Sequence, residues 1–83
     1  MRLSDVKKGW FFSIRSLPPG KIRIQAIRLG FSPGAKALCL SRFKKGPVVF
    51  LLAGQEIACG RKLAEKIMVI RLSENVQNRE EKR

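Results

Sequence analysis

The residues of this chain that can do chemistry are nearly all cations. Lysine and arginine together number 18, aspartate and glutamate 6, and histidine is absent, for a formal charge of +12. Nucleophilic catalysis needs a tunable base beside its nucleophile, and no serine or cysteine here stands next to one. Before residue 73 the acids are Asp5, Glu56 and Glu65, too few and too dispersed for a carboxylate pair or an iron-ligand set. Cys39 and Cys59 do not form a metal-ligand spacing; each sits in an apolar run and is expected to be a small buried hydrophobe. A glycine-rich phosphate loop of the P-loop type is missing, so the chain is not expected to bind GTP. The sequence therefore predicts no enzyme, no cofactor and no metal site. The chemistry left is attraction to anions: acidic protein faces, anionic lipid or nucleic acid.

The cations are unevenly placed. Residues 1–45 hold eleven basic residues and one acid, whereas residues 46–83 hold seven basic and five acidic. At 83 residues and 45% hydrophobic, the chain is one small folded domain with a thin core. The longest apolar run is Val48 to Ala53, far short of the roughly 18 residues of a membrane span. Met1-Arg2-Leu3-Ser4-Asp5 lacks the apolar stretch of a signal peptide. Both features predict a cytosolic protein, and the basic surface predicts recruitment to the inner face of the membrane.

The elements that carry these charges are short. Leu3 and Val6 anchor an opening turn, and Trp10 to Arg15 alternates as a strand with Trp10, Phe12 and Ile14 on its core face. Leu17-Pro18-Pro19-Gly20 ends it. Residues 21–29 have helical spacing, with Ile22, Ala26 and Leu29 on one stripe, Ile24 opposite and Ile27 to one side. Gly30 follows as a cap, and Ser32-Pro33-Gly34 turns the chain. Strands are expected at Lys36–Phe43, Pro47–Leu52, Gln55–Cys59 and Met68–Leu72, with a basic hairpin loop at Lys44-Lys45-Gly46. Gly60 to Lys66 reads as a helical turn. Leu29, Val48, Phe50, Ile57, Leu63, Ile67 and Val69 are assigned to the core. From Ser73 to Arg83 one residue in eleven is aliphatic, which predicts a flexible charged tail after a domain spanning residues 1–72. Five short strands, one helix and one helical turn make an all-β fold with a helical insert, curled into a partly open barrel.

In this order and spacing the residues resemble the FeoA family of small ferrous-iron transport proteins. The resemblance runs from Met1 to about Leu72. It rests on Arg2-Leu3-Ser4-Asp5-Val6-Lys7 with Gly9, on Leu29-Gly30-Phe31 with Pro33-Gly34, and on Gly46-Pro47-Val48, Gly54, Ile57-Ala58, Leu63-Ala64, Ile67 and Val69. Ile24 departs from the family pattern, occupying a helix position that is usually polar. The resemblance implies an SH3-like five-stranded barrel. It also implies a cytosolic accessory of ferrous-iron uptake whose partner is the membrane iron permease FeoB, docked through its cytosolic G-domain region.

The contact surface is expected at Ile24, Ile27, Arg28 and Phe31, with Lys44 and Lys45 as steering charges. Phe31 and Gly30 also have a structural reading, as barrel plug and helix end. The alternative function is a basic SH3-like module that binds nucleic acid, which the charge favours. Against it, the aromatics fall mostly at core-like positions and leave no obvious stacking platform.

Overall fold

The computed structural model describes residues 1–72; the tail expected at 73–83 lies outside them. A short 3₁₀ turn at Leu3–Asp5 leads into strand β1 (Phe11–Ser16), helix α1 (Lys21–Arg28), strands β2 (Lys36–Arg42), β3 (Val48–Leu52) and β4 (Gln55–Cys59), the short helix α2 (Arg61–Ala64) and strand β5 (Met68–Leu72). One antiparallel sheet runs in the order β4-β3-β2-β1-β5. Its ends do not meet, so the barrel is partly open. Two irregularities help it curl. Register shifts between Ile14 and Ser16 in β1 and between Cys39 and Ser41 in β2, and such bulges sharpen twist. The β5 edge is partly covered by the start of the chain: Leu3 N–H donates to Ile67 O and Val69 N–H to Met1 O, each at 2.8 Å.

Alternation decides which side chains go inside. Phe12 and Ile14 of β1, Ala37 and Cys39 of β2, Val48, Phe50 and Leu52 of β3, Cys59 of β4 and Val69 of β5 are all buried. Leu3, Val6 and Ile67 close the same core. Phe50 is its centre, edge-on to Phe12 at 5.7 Å and tilted against Phe31 at 5.1 Å. Ile57 and Leu63 are partly buried at its margin, as is Trp10. The Arg71 guanidinium stacks 3.9 Å from the centre of the Trp10 ring, a favourable cation–π contact. On the outer face Leu51, Leu38, Phe11 and Leu72 stand side by side in register.

Two assignments need correction. Leu29 is not core: its side chain is 58% exposed. Helical spacing put it on the stripe of Ile22 and Ala26, and it shares a groove wall with them, but Leu29 is the cap residue at the end of α1, where that wall faces an open groove and not the packed core. The tight exit follows, with Gly30 at φ +98°, a conformation that only glycine adopts easily. Phe43 is not a strand residue either. The ladder ends at Arg42, and Phe43 opens the hairpin turn with a largely exposed ring.

Candidate functional site

Helix α1 bridges β1 and β2 and carries Lys21, Arg23 and Arg28 with no acid. Ala26 turns inward and is buried. Ile24, Ile27 and Leu29 do not: they are 57%, 45% and 58% exposed. Ile24 and Ile27 thus lie where the sequence placed them, and Leu29 joins them. Arg28 is exposed on the same short helix. Phe31 is different. It is buried against Phe50, so it supports this surface from beneath and offers a partner no free ring.

Beside these residues runs an apolar groove of about 220 Å³ between α1 and the β4–α2 corner. Ile22, Ala26 and Leu29 line one wall, and Ile57, Ala58 and Leu63 the other, with Phe31 also contributing. Exposed aliphatics next to an apolar groove are the features of a protein contact rather than of a reaction site.

Lys44 and Lys45 lie elsewhere, in the exposed β2–β3 hairpin. Gly46 N–H donates to Phe43 O at 3.1 Å to close the turn. A Cβ on Gly46 would come within 3.0 Å of Phe43 Cβ, so glycine lets the Phe43 side chain sit flush over the turn. Two arginines brace the hairpin. Arg61 Nη1 donates to Lys44 O at 2.7 Å, and Arg42 Nε donates to Ser4 O at 3.0 Å. Between them lies a pocket of about 50 Å³ lined by Arg2, Ser4, Asp5, Arg42, Phe43, Lys44, Gly46, Val48, Arg61 and Glu65. Its two acids are paired along their own segments, Asp5 with Arg2 at 3.5 Å and Glu65 with Arg61 at 3.2 Å. Both pairs are well exposed, so each is worth at most about 1 kcal/mol. The Ser4 hydroxyl is buried with no hydrogen-bond partner among the described residues, which costs about 1–3 kcal/mol.

The cysteines fit the reading as buried hydrophobes. Both are free and buried. Burial pushes the Cys59 thiol up to about 11. Burial also raises Cys39, against smaller opposing effects of Arg42 and of a hydrogen bond to Ser41. Thiols held protonated are poor nucleophiles and poor metal ligands. Among the described residues no three of His, Cys, Asp or Glu stand together as a metal site. Among the described residues no helix is long and apolar enough to cross a membrane.

Sequence reasoning missed Leu29 and Phe43. The signal for Leu29 was Gly30 directly behind it, which marks the end of the helix, where the stripe runs out into solvent. For Phe43 it was the Lys-Lys-Gly that follows, which already belongs to a turn.

Comparison with known proteins agrees with this architecture. Residues 1–71 match the FeoA domain family. A crystal structure of an iron uptake regulatory protein, FeoA, superposes with a TM-score of 0.80 at 27% identity, covering 87% of this chain and 97% of that one. The solution structure of the FeoA protein from Chlorobium tepidum gives 0.77 at 30% identity, covering 88% and 71%. Iron(II) transport protein A from Clostridium thermocellum shares the fold, with a TM-score of 0.80 at 23% identity over 87% of this chain and 46% of that one. Among curated proteins none matches at a significant level.

Proposed function

This chain belongs to the FeoA domain family, whose role is in ferrous-iron uptake, and on that premise we propose that it acts there as a non-enzymatic accessory that docks on the cytosolic part of a FeoB-type iron permease. The observation that carries the reading is the α1 surface. Ile24, Ile27 and Leu29 are about half exposed or more; Leu29 lines the apolar groove toward Ile57 and Leu63, and Ile24 and Ile27 add exposed apolar surface elsewhere on the same short helix. Their burial would supply contact energy. Lys21, Arg23 and Arg28 on the same helix, with Lys44 and Lys45 on the hairpin, would raise the encounter rate with an acidic face.

The nucleic-acid alternative has less support. Among the described residues Phe43 is the one aromatic with a largely exposed ring, and Trp10 is covered by Arg71. Single-strand binders use several stacking rings along a basic groove.

The test is capture of the purified cytosolic domain of the permease on immobilised chain. Capture that persists at moderate salt and is lost in the Ile24→Glu, Leu29→Ser double variant supports docking through α1. No capture at high concentration and low salt refutes the docking.

A further inference from the structure

We propose that the β2–β3 hairpin and the arginine pocket beside it form a seat for the phosphate of an anionic phospholipid, with the Phe43 ring entering the membrane interface. The inference does not depend on docking to the permease: it shares only the steering charges Lys44 and Lys45 with that reading, lies away from the α1 surface and needs no protein partner.

Three observations converge on it. The first is the cation set. Arg2, Arg42, Lys44 and Arg61 reach one pocket from the start of the chain, the end of β2, the hairpin and α2. The acids Asp5 and Glu65 offset part of this charge, leaving two net positive charges from four cations and two carboxylates. An arginine has five N–H donors. Arg42 spends its Nε on Ser4 O, and Arg61 spends its Nε and one Nη1 donor on Glu65 and Lys44 O. Most donors on both guanidinium groups are therefore uncommitted among the described residues, while the bonds that are made hold the groups in place. Guanidinium forks suit phosphate oxygens.

The second is size. The pocket holds about 50 Å³, against roughly 10–15 Å³ for one water. It therefore admits a group of about three to five water-sized atoms, a range that includes a phosphate. A polyanion tracking across the surface would need a groove instead.

The third is Phe43. Phe43 lines the same pocket, is 56% exposed, and its side chain starts close against Gly46. Free inorganic phosphate would make no use of it. A lipid would: an aromatic flanked by Lys44 and Lys45 places an apolar wedge at the acyl boundary with cations at the headgroups. One ring beside one phosphate-sized pocket therefore favours a lipid over a nucleic-acid strand.

The test is flotation of the full chain with vesicles of phosphatidylcholine alone or with about a third phosphatidylglycerol. The expected result is binding to the anionic vesicles only. Phe43→Ala should weaken it about tenfold or more, and Lys44→Gln with Lys45→Gln about thirtyfold. Arg42→Gln should weaken it as well. Phe43→Trp should show a blue-shifted emission component on anionic vesicles that brominated lipid quenches. These side chains are exposed, so circular dichroism should show every variant folded. Three results would overturn the proposal: no flotation with anionic vesicles at low salt; equal flotation of Phe43→Ala and of the parent chain; or complete competition by inorganic phosphate or by an RNA oligonucleotide at concentrations below that of the lipid.

Discussion

Replacing Ile24 by glutamate should weaken docking strongly and leave folding almost unchanged. Full burial of an isoleucine side chain is worth about 1.5–3 kcal/mol. Ile24 is 57% exposed in the free chain, so docking can remove about 0.9–1.7 kcal/mol of exposed surface at this position, roughly four- to eighteenfold in affinity. Ile24→Ala should lose most of that. Ile24→Glu must in addition desolvate a carboxylate against an apolar partner, which costs several kcal/mol, so its affinity should fall at least about a hundredfold. Folding should scarcely notice. The substitution places an acid four residues before Arg28 and three after Lys21, on a helix with three cations and no acid. Such pairs contribute about 0.3–0.5 kcal/mol, offsetting the small part of Ile24 that is covered. The stability change should stay within about 0.5 kcal/mol, or about 4 °C in Tm for a chain of this size. Titration calorimetry against the permease's cytosolic domain and thermal unfolding followed by circular dichroism measure the two effects. Unchanged affinity would remove Ile24 from the interface. A Tm lowered by more than about 8 °C would mean that Ile24 is packed within the fold.

Phe50→Ala should cost about 3–5 kcal/mol, because Phe12 and Phe31 both rest on that ring; urea unfolding should show a chain that is marginal or unfolded at 25 °C. Ala53→Asn should stabilise the chain by about 0.5–1 kcal/mol in the same assay, since Ala53 sits at φ +51° before Gly54 at +80°, a hairpin geometry in which asparagine is at home and alanine is strained. Cys59 should make stability fall with alkaline pH. Burial raises its thiol from an ordinary value near 9 to about 11, so the unfolded chain ionises first. Its contribution is complete below about pH 9 and is lost towards pH 11, up to about 2–3 kcal/mol. Denaturation curves of the parent should drop over this window more steeply than those of Cys59→Val, and parallel curves would contradict the burial argument.

Much of the fold was legible because its punctuation is local. Pro18-Pro19-Gly20, Ser32-Pro33-Gly34, Lys44-Lys45-Gly46 and Ala53-Gly54 each end an element by their own backbone preferences, and the strands between them alternate cleanly enough to place Phe12, Ile14, Phe50 and Val69 inside. What a repeat could not reveal was where it stops. Leu29 follows the helical period onto the wall of Ile22 and Ala26, but at the cap that wall faces an open groove and not the core. Leu40 is the extra residue of the bulge in β2, so alternation counted through it carried Phe43 into a strand it does not join. The exposed α1 surface was visible as apolar residues off the core stripe. The pocket of Arg2, Arg42 and Arg61 was not, because it depends on three distant segments meeting, and a count of cations says nothing about which of them converge.

The central claim is that this chain works by binding one protein partner through α1. It is tested most directly by the affinity of the full chain for the cytosolic domain of a FeoB-type permease, measured at low salt and at physiological ionic strength, with an RNA oligonucleotide titrated in parallel. The expected result is a saturable complex with the permease domain that keeps most of its affinity at the higher salt, and RNA binding that fades as the salt rises. No complex with the permease domain at either salt, or tighter binding to the RNA at physiological ionic strength, would contradict it.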